Sequence, residues 1–111
     1  ERNIQEYLSV NPKFIYAPIS QYLFRGGKRI RPILLFLSAK TSAPDIEITK
    51  EHRSISSIIE MFHNFTLIHD DIEDHSELRR GKDTLHISHG VPIAINMGDA
   101  LYTMVWYKLA T

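Results

Sequence analysis

The chain has 111 residues, of which 43% are hydrophobic and 23% charged, a composition typical of one folded domain. Thirteen basic and thirteen acidic residues cancel, which excludes an overall field that would attract nucleic acid. Because cysteine is absent, disulfides and thiolate metal sites are excluded as well. The longest apolar runs, at 33–37 and 101–106, are far shorter than the roughly 18 residues of a membrane-spanning helix.

The N-terminal third predicts two helices. The first begins at Asn11-Pro12, because asparagine caps helix starts and proline is favoured in the first turn. Pro18 should kink or divide this helix, and Gly26-Gly27 ends it. Arg31-Pro32 begins the second helix in the same way, and its apolar run at 33–39 predicts a position in the core.

The rest of the chain predicts a long helix, a polar loop and further helices. Thr49 caps the long helix, which carries a broad apolar stripe. The polar residues 76–84 indicate a loop, and a short helix is predicted before Gly90. Pro92 is predicted to begin a final helix that is apolar on nearly every side. Because no stretch alternates with period two, the class is all-α. An apolar helix that runs to Thr111 without a cap predicts that residues 1–111 are a single, partial, truncated domain.

Three carboxylates, Asp70, Asp71 and Asp74, stand near the end of the long helix. At 100° per residue they share an arc of about 100°, so the spacing predicts that they converge, and His63 lies within about 20° of Asp70. Two carboxylates about 6 Å apart repel by roughly 3 kcal/mol at an effective dielectric near 20. Bound divalent cations would remove that cost, and oxygen ligands favour Mg²⁺. By itself the cluster also fits a solvated acidic helix end.

Basic residues form two clusters, each next to glycine. The first precedes a helix N-terminus, where free N–H groups and close backbone approach suit a diphosphate. The second follows the acidic helix and offers the bidentate contacts of arginine. Either cluster alone also fits a solvated loop. Their members are Lys28, Arg29 and Arg31 in the first, and Arg79, Arg80 and Lys82 in the second.

The order of these parts resembles the trans-isoprenyl diphosphate synthases. The matching stretches are GGKRIRP at 26–32, EMFHNFTLIHDDIED at 60–74, SELRRG at 76–81 and AINMGDAL at 94–101. Four motifs in this order are far more specific than any one of them. The resemblance implies the N-terminal helices of an isoprenoid-synthase-type bundle, and an enzyme that condenses isopentenyl diphosphate with an allylic diphosphate.

The resemblance also implies a metal-assisted mechanism. Asp70, Asp71 and Asp74 would bind Mg²⁺ ions that grip the allylic diphosphate. The allylic C–O bond would then ionise, the isopentenyl double bond would attack the carbocation, and a proton would be lost to the released diphosphate. The family carries a second aspartate-rich motif, which is not found after Asp74, so the 111 residues alone are expected to be inactive.

Substrate contacts are assigned by the same resemblance. Lys28, Arg31 and His63 would hold isopentenyl diphosphate. Arg79 would face the allylic diphosphate and Arg80 the homoallylic one. These residues are therefore the predicted binding set for two diphosphate substrates.

Product length is implied by the residues four and five positions before the first aspartate. Here they are Thr66 and Phe65, one small and one bulky. In the family this position forms part of the floor under the growing chain, and a single aromatic there resembles short-chain synthases that make C15 to C20 products such as geranylgeranyl diphosphate.

The sequence is also compatible with three other functional hypotheses. A metal-dependent phosphohydrolase would use His69-Asp70 with His52 or His63, although His69 lies about 100° from Asp70 on the helix. A non-catalytic regulatory subunit would keep the fold without needing the aspartates. A class I terpene cyclase would share the acidic helix but lacks a second diphosphate substrate. The resemblance further implies a homodimer, with a cytoplasmic location and a plastid as the alternative.

Overall fold

Helices account for nearly all of the secondary structure. The computed structural model describes residues 1–111 and contains six helices and two short strands, which confirms the predicted all-α class. In chain order the elements are α1 (Arg2–Tyr7), α2 (Lys13–Leu23), α3 (Ile30–Ser42), α4 (Lys50–Glu73), β1 (Leu78–Arg79), β2 (Lys82–Asp83), α5 (Leu85–His89) and α6 (Val91–Ala110).

The core lies along the contact between α4 and α6. Four side chains on α4 recur at helical spacing and are almost fully buried: Met61, Asn64, Ile68 and Asp71. Burial of a large apolar side chain stabilises the fold by roughly 1.5–3 kcal/mol, so Met61 and Ile68 make α4 the central element. The facing residues of α6 that are completely buried are Ala94, Met97 and Leu101.

Several helix boundaries agree with the prediction and two features of the helices do not. Thr49 caps α4, with its N–H donating to Nδ1 of His52 at 3.3 Å, and the predicted short helix and final helix are present. Of the two outcomes predicted for Pro18, a kink or a division of the first helix, the division is wrong, since α2 runs through Pro18. The prediction that 33–39 lies in the core is also wrong, because α3 packs against α4 with one face and has no buried residue. The exposed fractions of Ile33, Leu34 and Leu37 are 51–56%.

The segment after α4 forms a hairpin where the sequence predicted a loop. Leu78 pairs with Asp83 and Arg79 with Lys82 in an antiparallel register. The two connecting residues, Arg80 and Gly81, have φ of 54° and 75°, and positive φ at both positions is the requirement of a type I′ turn. This tight reversal keeps the two consecutive arginines close to α4.

No helix has the combination of length and apolar composition that a bilayer crossing requires, and this includes α4 and α6, the two longest.

Candidate functional site

The three aspartates at the end of α4 do not point the same way. Asp70 is exposed in the last turn, and Asp74 is exposed at the C-cap, where its N–H donates to the Asp70 carbonyl at 2.8 Å. Asp71 is 1% exposed. The prediction that all three carboxylates converge is therefore wrong, and no three His, Asp or Glu side chains lie close enough together to hold one metal ion.

Asp71 is instead the acceptor of a buried hydrogen-bond network. Arg79 Nε donates to both carboxylate oxygens, at 2.8 and 2.9 Å, and Arg79 Nη2 lies 2.7 Å from Asp71 Oδ1. The Tyr22 hydroxyl donates to Asp71 Oδ2 at 2.9 Å. Burial, followed by the charge of Asp71, raises the pKa of Tyr22 well above its ordinary value, so the phenol stays protonated. The network links α2, α4 and the hairpin.

This network explains why a carboxylate can lie in the core. An ionised group is costly to bury unless it is paired and hydrogen-bonded. Arg79 supplies both the opposite charge and the hydrogen bonds. The bond to Asp71 raises the pKa of Arg79, while the side chain stays 28% exposed. Asp71 thus fixes the direction of Arg79 while part of the guanidinium faces solvent.

Arg80 lies over Gly27 of the first basic segment. A Cβ at Gly27 would be 3.1 Å from Arg80 Nη2, so this glycine allows the close approach. Burial, followed by the charge of Arg29, lowers the pKa of Arg80. Arg80 Nη1 is buried and has no hydrogen-bond partner. A buried cationic donor without an acceptor is suited to an anionic ligand.

His63 lies close enough to Arg31 and Arg80 for their charges to act on it. Burial, followed by the charge of Arg31, lowers the pKa of His63, with Arg80 and Arg79 acting in the same direction. These surroundings therefore favour the neutral form of His63. Lys28 and Arg31 are exposed and form no ion pair within the chain.

Arg29 has a different environment from the other members of its cluster. Its Nη1 donates to Glu60 Oε1 at 2.9 Å, and its Nη2 donates to the Leu23 carbonyl at 2.7 Å. The backbone of Arg29 is left-handed, with φ of 49°, a conformation that costs an L-residue roughly 1–2 kcal/mol. Sequence reasoning did not predict this contact, because it placed Glu60 only by its position one turn before His63.

Phe65 and Thr66, the predicted chain-length residues, face different surroundings. The Phe65 ring lies 4.8 Å from the Tyr102 ring and 5.0 Å from the His69 ring, between centroids. The Thr66 hydroxyl donates to the His63 carbonyl at 2.7 Å. Tyr102 was not anticipated, because sequence spacing within one helix does not show which residue of α6 faces Phe65.

Known synthases are similar to this chain over most of its length. The family described as polyprenyl synthetase matches residues 12–111. The geranylgeranyl pyrophosphate synthase of Geoglobus acetivorans is 46% identical over 91 residues, which cover 82% of this chain and 28% of that protein. Chloroplastic solanesyl-diphosphate synthase 2 of Oryza sativa subsp. japonica is 36% identical over 111 residues, covering 97% of this chain and 28% of that protein.

Solved structures agree with these sequence matches. The geranylgeranyl pyrophosphate synthetase from Geoglobus acetivorans superposes with a TM-score of 0.85 at 40% identity, covering 98% of this chain and 35% of that one. Heptaprenyl diphosphate synthase from Staphylococcus aureus gives a TM-score of 0.90 at 27% identity, covering 98% and 34%. The chain spans 28% of the length of each of the two curated relatives named above.

Proposed function

Because the chain belongs to the polyprenyl synthetase family, we propose that it supplies two diphosphate sites of a prenyltransferase that joins isopentenyl diphosphate to an allylic diphosphate. The observation that carries the proposal is the division of charge between the middle of α4 and its C-terminal end. Exposed Asp70 and Asp74 stand beside a partly exposed Arg79, while Arg80 has a buried donor without an acceptor. One site therefore has oxygen ligands for a metal, and the other has N–H donors, most of them cationic.

Asp70 and Asp74 are the residues proposed to hold Mg²⁺. Both are exposed, they lie one helical turn apart, and carboxylate oxygens with free positions suit this hard cation. Asp71, the third predicted ligand, is assigned the role of orienting Arg79 instead, because its oxygens already accept bonds from Arg79 and Tyr22. When bound, Mg²⁺ would neutralise charge on the departing diphosphate.

The second diphosphate site is proposed to be formed by Lys28, Arg31, His63 and Arg80, referred to below as the cation site. Neutral His63 donates one N–H without adding charge, and Arg80 contributes its unpaired Nη1. No carboxylate of the α4 end belongs to this set. A diphosphate bound here would therefore keep its charge-assisted bonds without a metal.

The chain's residues would contribute to the chemistry mainly by charge stabilisation. The allylic C–O bond breaks with its electron pair leaving on the diphosphate, which Arg79 faces. The isopentenyl double bond forms the new C–C bond, and the proton lost from the adjacent carbon passes to the released diphosphate. No side chain acts as a nucleophile, and the cation site holds the acceptor substrate in position throughout.

A short product, C15 to C20, is proposed from the residues under the allylic site. The resemblance assigns Phe65 to this position, and its ring contacts the rings of Tyr102 and His69. An aromatic ring packed on two sides resists displacement by a growing chain, whereas Thr66 beside it leaves space. The protein is also proposed to form a homodimer and to lie in the cytoplasm, with a plastid as the alternative.

A prenyl-transfer assay tests the proposed function. A full-length synthase that carries this chain is incubated with labelled isopentenyl diphosphate, an allylic diphosphate and Mg²⁺, and the extracted prenyl diphosphates are separated by length. Label is expected in C15 to C20 products, with loss of activity in Asp70→Asn and in Asp74→Asn. Release of diphosphate from the allylic substrate alone would indicate a cyclase, and activity that requires a second, different chain would indicate a regulatory subunit.

A further inference from the structure

Glu60 is a buried acid close to the cation site. It lies on α4 one turn before His63 and is 4% exposed. Its Oε1 accepts a bond from Arg29 Nη1 at 2.9 Å and a longer one from Asn64 Nδ2 at 3.3 Å. A carboxylate is rarely buried unless it is paired, so the contact with Arg29 is the reason that Glu60 can occupy this position.

Arg29 in turn connects three helices through one guanidinium. Nη1 reaches Glu60 on α4, and Nη2 donates to the carbonyl of Leu23 at the end of α2. The residue is also the N-cap of α3, in a left-handed conformation that an L-residue with a Cβ rarely adopts. The segment that carries Lys28 and Arg31 is therefore fixed to α4 through Glu60.

Arg80 shares this environment. A Cβ on Gly27 would lie 3.1 Å from Arg80 Nη2 and 3.5 Å from Arg29 Nη1, so both guanidinium groups approach the same glycine. Two neighbouring cations repel, and Glu60 is the buried carboxylate whose charge acts on Arg80 and pairs with Arg29. The other carboxylate bonded to either guanidinium is that of Glu1, which lies 3.3 Å from Arg29 Nε but is 65% exposed, so Glu60 is the buried group that offsets the two positive charges.

We propose that Glu60 is a positioning residue for the homoallylic diphosphate: its carboxylate fixes the segment that carries Lys28 and Arg31, and holds Arg80 beside Gly27. This inference rests on the proposed function, since it assigns Glu60 to one of the two diphosphate sites. Glu60 does not touch substrate in this scheme. Its effect should therefore fall on binding of one substrate and not on the other.

The test is Glu60→Gln in a full-length synthase that carries this chain. Loss of the buried charge should raise the KM for isopentenyl diphosphate by roughly tenfold or more, the range expected for a lost charge-assisted bond. The KM for the allylic diphosphate should stay within about twofold, because Arg79 is held by Asp71 at a separate site. The control is Glu51→Gln, which removes an exposed charge from the same helix and should change neither constant.

A second variant covers the case in which Glu60→Gln does not fold. Arg29→Lys keeps the positive charge but cannot bond Glu60 and the Leu23 carbonyl together in the same geometry. It should raise the same KM, and direct titration with isopentenyl diphosphate should show the same loss of affinity. An equal rise in both KM values, or no rise in a folded variant, would overturn the inference. Failure of the unmodified synthase to consume isopentenyl diphosphate would overturn the proposed function instead.

Discussion

Replacement of Asp71 by asparagine should distinguish a structural carboxylate from a metal ligand. Removal of one partner of a buried ion pair costs about 3–5 kcal/mol. Two features reduce this figure: Arg79 keeps 28% of its side chain exposed, and the amide oxygen of asparagine can still accept the bond from Tyr22. The free energy of unfolding should therefore fall by about 2–3 kcal/mol, whereas Asp70→Asn, at an exposed position, should change it by less than about 0.5 kcal/mol.

Two measurements on a full-length synthase that carries this chain would test the assignment. Urea titration gives the change in the free energy of unfolding for each variant. Thermal unfolding with and without Mg²⁺ plus inorganic diphosphate gives the stabilisation by bound ligand. Asp70→Asn and Asp74→Asn should lose that stabilisation while keeping the intrinsic stability. Asp71→Asn should lose intrinsic stability and should lose the stabilisation by ligand only in part, because Asp70 and Asp74 remain while Arg79 is no longer held.

The coupling between Asp71 and Arg79 provides the control. The double variant Asp71→Asn with Arg79→Gln should be less destabilised than the sum of the single variants, because each single change already breaks the same pair. If Asp71→Asn and Asp70→Asn lower the free energy of unfolding equally, the buried pair does not hold Arg79. The same conclusion follows if the losses from Asp71→Asn and Arg79→Gln simply add in the double variant. If Asp71→Asn alone abolishes stabilisation by Mg²⁺ and diphosphate, Asp71 is a ligand after all.

The remaining predictions concern the α4–α6 contact, pH and product length. Gly98→Ala should lower the free energy of unfolding by about 1–3 kcal/mol in a urea titration, since its Cβ would overlap the His69 ring at Nε2, and adding His69→Ala should relieve the clash. The folded-state pKa of His63 is lowered, so the unfolded chain binds the extra proton first. The free energy of unfolding should fall as pH drops through about 6.5, and it should fall less steeply in His63→Gln. The same pH dependence in His63→Gln as in the unmodified chain would refute this assignment. Phe65→Ala should lengthen the products separated by chromatography, because the ring that packs on Tyr102 is removed, and an unchanged distribution would exclude Phe65 from the floor.

Sequence reasoning predicted the long helices well because their signals are local. Thr49 begins α4 and Pro92 lies in the first turn of α6, and both follow from capping preferences that act within one turn. The exposed apolar run of α3 was misplaced for the opposite reason. Composition indicates that Ile33 and Leu34 are suited to a core, but burial depends on whether another element packs against that face.

Asp71 shows where a one-helix argument fails. The arc that groups Asp71 with Asp70 is correct for an ideal helix, but Asp71 also continues the buried stripe of Asn64 and Ile68. Whether Asp71 lies with Asp70 at the surface or on the buried stripe depends on whether a partner for its charge is available. That partner, Arg79, reaches Asp71 only through a hairpin whose turn places a non-glycine residue at positive φ, and no common turn sequence signals it.

The two buried acids of α4 lie in the different surroundings of the two consecutive arginines, as the two proposed diphosphate sites require. Asp71 and Glu60 are eleven residues apart, which corresponds to about 16 Å along a rigid helix at 1.5 Å per residue. Arg79 pairs with Asp71, whereas Arg80 turns toward Gly27, where the charges of Arg29 and Glu60 act on it. The separation of the two proposed diphosphate sites is therefore set by α4 and not by the short hairpin, which only has to present its two arginines in different directions. A flexible loop with the same sequence would leave both guanidinium groups free to approach the nearest anion, and the distinction between a metal-assisted site and a cation site would be lost.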